Sequence, residues 1–201
     1  RGQAAAAPRP YADVITSAFK TDDGVFKVHR GLVSGTDSVL FEIPKNELDK
    51  DFVWNVSLKK TTIGAGFGGQ SVSNRVVRWV KRGDRILLES VDYSITGGDD
   101  PVVAQAVANS NYPVIIRALP VLAYAPNGDA VVDVTTFFMD GVPEFATAAA
   151  VGGRGADGTR SFLERALSFP DNINVEATLT FTGAAAGGGG AGGGGGRGPG
   201  G

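Results

Sequence analysis

The chain has 201 residues, 42% hydrophobic and 20% charged, with a formal net charge of −2. This balance is ordinary for a globular domain and lacks the basic excess that a nucleic-acid partner demands. The absence of cysteine excludes disulfides and thiolate metal sites, and the longest apolar run, Val114 to Ala125, is broken by Arg117 and Pro120 and is too short for a membrane-spanning helix.

Residues 1–10 (RGQAAAAPRP) are small or turn-forming and read as a leader or linker. They hold no apolar stretch of the kind a signal peptide needs, so an exported form would already have lost its signal peptide. Residues 11–182 read as one β-rich domain. Val25 to Val28 is a first strand, followed by a turn-rich segment from Gly31 to Asp37. Val39, Phe41 and Ile43 then alternate with Leu40 and Glu42, the pattern of a half-buried strand, and Pro44 stops it. Phe52 to Lys59 alternates again, with Phe52, Trp54, Val56 and Leu58 on one face.

Ile63 to Gln70 is a glycine-rich loop. Arg75 to Lys81 and Arg85 to Ile95 form a hairpin that reverses at Gly83-Asp84, where glycine tolerates positive φ. Pro101 to Asn109 has the signs of a short helix, with proline at its first position and Asp99 or Asp100 to cap it. Val114 to Tyr124 reads as a strand with a bulge at Pro120. Asn127-Gly128-Asp129 turns the chain into a strand from Val131 to Thr135.

Thr159 to Ser168 has the spacing of a helix, with Phe162, Leu163, Ala166 and Leu167 on one face, ended by Pro170. Val175 to Thr182 alternates as a strand. Residues 183–201 hold 13 of the 30 glycines and read as a flexible loop or tail. The fold class expected is mainly β: an antiparallel sheet or sandwich with two or three short helices.

The chemistry inventory is thin. Gly64 to Gly69 has the look of a phosphate-cradling loop, but a strand rather than a helix is expected behind it. Arg82-Gly83-Asp84 matches an adhesion tripeptide, yet a hairpin tip wants the same residues. His29 is the single histidine, so neither a triad nor a multi-histidine metal site can be assembled around it. It is expected at a strand end as a surface or hydrogen-bonding residue. Asp22-Asp23 and Asp99-Asp100 suit caps and turns, and Asn55-Val56-Ser57 is a formal glycosylation sequon inside a strand. No catalytic, cofactor-binding or metal-ligating residue is assigned, and no cofactor is expected in this chain.

Four collinear stretches carry a family resemblance. They are PYADVI (Pro10 to Ile15), FEIPKNELDKDFVW (Phe41 to Trp54), NRVVRWVKRGDRILLESVDYSI (Asn74 to Ile95) and TRSFLERALSFPDNINVEATLTF (Thr159 to Phe181). Together they resemble the N-terminal region of bacterial extracytoplasmic zinc-dependent metalloproteases. The resemblance implies a zinc site in a later domain, on a His-Glu-x-x-His helix that this chain does not contain. It implies a non-catalytic scaffold or gate, with zinc only in the missing catalytic domain. The implied partners are the protein's own C-terminal peptidase domain or other protein subunits. The implied location is periplasmic or extracellular. The alternative is an accessory interaction subunit of a larger periplasmic or cell-surface assembly.

Overall fold

A computed structural model describes residues 7–33, 35–94, 98, 100–145 and 147–183. The expected leader is therefore described only from residue 7. The reading of the tail as flexible falls, beyond Gly183, outside the described residues, as does Asp99.

The body is a curled antiparallel sheet of eight strands. In chain order they are β1 (Phe19–Asp22), β2 (Lys27–Val33), β3 (Thr36–Ile43), β4 (Asp51–Ser57), β5 (Ser71–Arg82), β6 (Arg85–Val91), β7 (Val114–Tyr124) and β8 (Ala130–Asp133). Their order across the sheet is β1-β2-β3-β8-β7-β6-β5-β4. A separate hairpin, β9 (Phe162–Ser168) with β10 (Ile173–Thr178), completes the β structure. The short helices are α1 (Tyr11–Val14), α2 (Pro101–Ser110), α3 (Thr135–Met139) and α4 (Thr147–Ala150).

One face of the sheet carries the main core. Val28, Val39, Phe41, Ile43, Val77, Trp79, Ile86 and Leu88 are fully buried there. Phe26 sets its ring edge-on to Phe41 and Trp79, with centroids 6.0 Å away in each case. β4 turns Phe52, Trp54 and Val56 inward, as its alternation predicts. α3 then closes the core from above. Its Phe137 and Phe138 meet Trp54, whose ring also stacks on Phe145 at 4.9 Å. Aromatic pairs of this kind add to the area term that dominates folding.

The opposite face of β3, β7 and β8 is not left to solvent. The N-terminal strap 7–15 lies across it. Arg9 donates its amide to Leu122 O at 2.8 Å, and Val14 packs on Leu40, Ala123 and Val131. This corrects the expectation of a half-buried third strand, since Val39 to Ile43 are buried on both faces.

Three further expectations change. The segment from Gly31 to Asp37 is mostly strand, because β2 runs to Val33 and β3 starts at Thr36. Gly31 is needed there, since a Cβ would sit 2.2 Å from Ala18 O where β1 crosses close by. The strand expected over Val131 to Thr135 ends at Asp133, whose carboxylate accepts the Thr135 amide at 2.8 Å and turns the chain into α3. Pro120 sits in regular register opposite Arg85. The irregularities of β7 fall instead beside Ile116 and Leu122.

The helix expected over Thr159 to Ser168 is the largest miss. A single 3-10 turn, Gly158–Arg160, leads into β9 instead. Tertiary partners decide this. In a helix the carbonyls of Leu163 and Glu164 would accept from amides four residues on. Here Arg30 takes both, at 2.8 and 2.6 Å, while Ser168 Oγ donates to Phe26 O at 2.6 Å. β10 supplies the ladder. Satisfying these groups from outside outweighs a helical stripe of four residues. By contrast α2 forms where expected, and Asp100 caps it by accepting from the amides of Val102 and Val103.

Candidate functional site

Two features stand out. The first is a buried carboxylate. Register places Lys27 directly opposite Glu42 and His29 opposite Leu40, so His29 and Glu42 are diagonal neighbours on the strap-facing side of β2 and β3. Both are 1% exposed. Glu42 accepts three hydrogen bonds: from Tyr11 Oη of the strap at 2.7 Å, from Lys27 Nζ at 2.7 Å and from His29 Nε2 at 3.1 Å. His29 Nδ1 pairs with the Thr21 hydroxyl of edge strand β1 at 2.8 Å.

The electrostatics follow from that geometry. Burial alone would push the Glu42 carboxyl upward. The hydrogen bonds from His29, Lys27 and Tyr11 outweigh it and hold the group at about 2, against its ordinary 4.5. The Tyr11 hydroxyl is raised well above its usual range by burial first, then by its bond to Glu42 and the negative charge. Lys27 is raised by its bond to Glu42, against an opposing contribution from burial. A carboxylate with all its donors in place is a stable hub. It ties α1, β1, β2 and β3 together.

Thr21, His29 and Glu42 form a hydroxyl–imidazole–carboxylate chain, the order of groups found in acyl-transfer triads. The chain of bonds braces the edge strand β1 against β2 and β3. The imidazole is buried, and the carboxylate already serves Lys27 and Tyr11. Clefts of about 250 and 230 Å³ are lined around Gly141, Pro143 and Arg154, and around Lys20, Asp22 and Arg165; neither is lined by Thr21 or His29. Among the described residues no group of three or more His, Asp or Glu side chains could hold a metal ion. Of the two alternatives expected for His29, the surface one is corrected and the hydrogen-bonding one holds: it is a core group bonded to Thr21 and Glu42. The missed signal was Glu42, an acid inside the apolar run Val39 to Ile43, whose cost demanded buried donors nearby.

The second feature is an apolar end. The register brings the β2–β3 turn, the 58–70 loop, the β6–β7 connection and the start of β9 to one end of the sheet. The exposed large apolar side chains concentrate there. They include Leu32 (65% exposed), Ile63 (97%), Phe67 (68%), Val102 (75%), Tyr112 (78%) and Phe162 (59%). The other end carries charged turns: Lys45, Glu47 and Lys50 before β4, and Arg82, Asp84 and Arg85 at the β5–β6 reversal.

The 58–70 loop is built rather than loose. Its base is closed by Leu58 N to Gln70 O at 2.9 Å and Gly69 N to Leu58 O at 2.7 Å. Inside it, Ala65 N reaches Thr62 O at 3.1 Å and Thr61 Oγ1 donates to Ala65 O at 3.0 Å. Gly64 and Gly66 take φ of 85° and 100°, which only glycine adopts freely. β5 follows the loop, so no helix N-terminus stands behind these glycines to cradle a phosphate. The geometry holds Ile63 and Phe67 out from the body. Arg82-Gly83-Asp84 is a hairpin reversal with Gly83 at φ 58°, as the turn reading requires.

Comparison with known proteins adds a family without an activity. Residues 69–194, more than half of the chain, match the family model described as "Domain of unknown function (DUF5117)", and the chain belongs to that family. Residues 8–61 match a second model, "Domain of unknown function (DUF5118)". No curated protein and no solved structure matches the chain.

Proposed function

We propose that this domain is a non-catalytic docking module, a scaffold or gate for a catalytic domain of the same protein. The observation that carries the reading is the apolar end, above all a hydrogen-bonded loop that presents Ile63 and Phe67 to solvent. Large apolar side chains held outward on a pre-organised loop lower the ordering cost of binding and suit a protein partner with an apolar surface. The chain as a whole has a formal net charge of −2, and Lys59 of the loop is paired with Glu176 at 2.7 Å, which favours a protein over an anionic lipid surface or a nucleic acid. The resemblance to the N-terminal region of extracytoplasmic zinc-dependent metalloproteases names the partner proposed here, a zinc peptidase domain, and a periplasmic or extracellular setting.

The test is hydrogen exchange on the parent polypeptide, with and without its peptidase domain. Residues 59–70 and the 33–36 turn are expected to gain protection when the second domain is present. The double variant Ile63→Ser/Phe67→Ser is expected to lose that protection and keep the melting temperature of the domain. Unchanged exchange at both segments would refute the docking reading.

A further inference from the structure

The two family models divide the chain between residues 61 and 69, and the fold ignores that division. The first matched segment holds the strap and β1 to β4, and the second holds β5 to β10. In the sheet, β5 to β8 form a central block, with β1 to β3 on one side and β4 alone on the other. Strands of the first segment therefore flank the second on both edges. The joints are regular antiparallel ladders, from Leu40↔Asp133 to Ile43↔Ala130 on one side and from Asp51↔Arg78 to Val56↔Ser73 on the other.

The core is shared in the same way. Phe26 and Phe41 of the first segment pack edge-on to Trp79 of the second, and Trp54 of the first stacks on Phe145 of the second. The second segment also reaches back, through Ser168 Oγ to Phe26 O and through the β9 carbonyls that Arg30 binds. Alone, the second segment would have two open strand edges, β5 and β8, and half a core. Alone, the first would be a three-stranded piece and one strand, β4, with nothing to pair with.

We infer that the two matched segments are not two domains but donor and acceptor of a single β-complementation. The partner that each surface fits is the other segment. The 62–68 loop is a tether outside the sheet. The ladders and the core hold the halves together; the peptide link does not.

A specific protease site placed between Gly64 and Ala65 tests this in the whole chain. After cleavage the two fragments are expected to co-elute at micromolar concentration and to separate only in denaturant. Each fragment diluted alone from denaturant is expected to show no cooperative unfolding transition, and mixing the two is expected to restore one. In the uncut chain, hydrogen exchange is expected to release the slowest amides of β2–β3 and of β5–β7 in one common opening event. Fragments that part on cleavage, a fragment that melts cooperatively alone, or separate opening events for the two segments would each overturn the inference. None of these outcomes depends on whether the apolar end docks a partner.

Discussion

Glu42→Gln is the sharpest probe of the strap-facing side. The substitution keeps the shape and removes the charge that Tyr11, Lys27 and His29 surround. Holding the carboxyl at about 2 rather than its ordinary 4.5 makes the charged form more favourable in the folded state by about 3 kcal/mol, at about 1.4 kcal/mol per pH unit. The sign is that of a depressed acid. The contribution is complete above the unfolded value of 4.5 and is lost as pH falls through the folded value of about 2. The variant should therefore be about 3 kcal/mol less stable than the parent at pH 7, and its midpoint lower by roughly 6–12 °C for a domain of this size. At pH 3 the gap should shrink to less than half, because the carboxyl of the unfolded parent, at its ordinary 4.5, is by then mostly protonated and folding must release that proton. Urea unfolding of both proteins at pH 7 and pH 3 measures this. A penalty under about 0.5 kcal/mol at pH 7, or one that does not shrink at pH 3, would refute the hub assignment.

Other expectations follow from the same packing. His29→Ala should cost about 2–3 kcal/mol in urea melts, since it leaves Glu42 one donor short and opens a buried gap; a change inside surface-substitution limits would restore the reading of His29 as peripheral. Trp79→Ala should cost about 3–5 kcal/mol, and Trp54→Ala less because its ring is only half-buried; equal costs, read by chemical denaturation, would contradict that difference in burial. Asp100→Ala should speed amide exchange in the first turn of α2 by removing about 1 kcal/mol of capping, with little effect on the global melt, because the first two turns of α2, from Pro101 to Ala106, are exposed. Metal analysis after dialysis should find no tightly held zinc on this chain; one zinc per chain would mean that the described side chains rearrange around it.

Local signals in the sequence were enough for the pieces they control. The reversal at Gly83-Asp84, the cap and proline that start α2, and the inward face of β4 at Phe52, Trp54 and Val56 all depend on neighbours within a few residues. The mainly β class followed from alternation and turn chemistry in the same way. Long-range partners decided the rest. Leu163 and Ala166 have helical spacing, and only Arg30, more than a hundred residues away, and the β10 ladder make them strand. His29 reads as peripheral until the register sets it beside Glu42 and the strap covers both. The exposure of Ile63 and Phe67 is likewise invisible in a list of residues, because a glycine-rich loop can fold its apolar side chains in or hold them out. Sequence specifies which conformations are cheap for each short segment. Which polar groups are satisfied and which apolar groups are covered depends on contacts between segments that the chain brings together only when it folds.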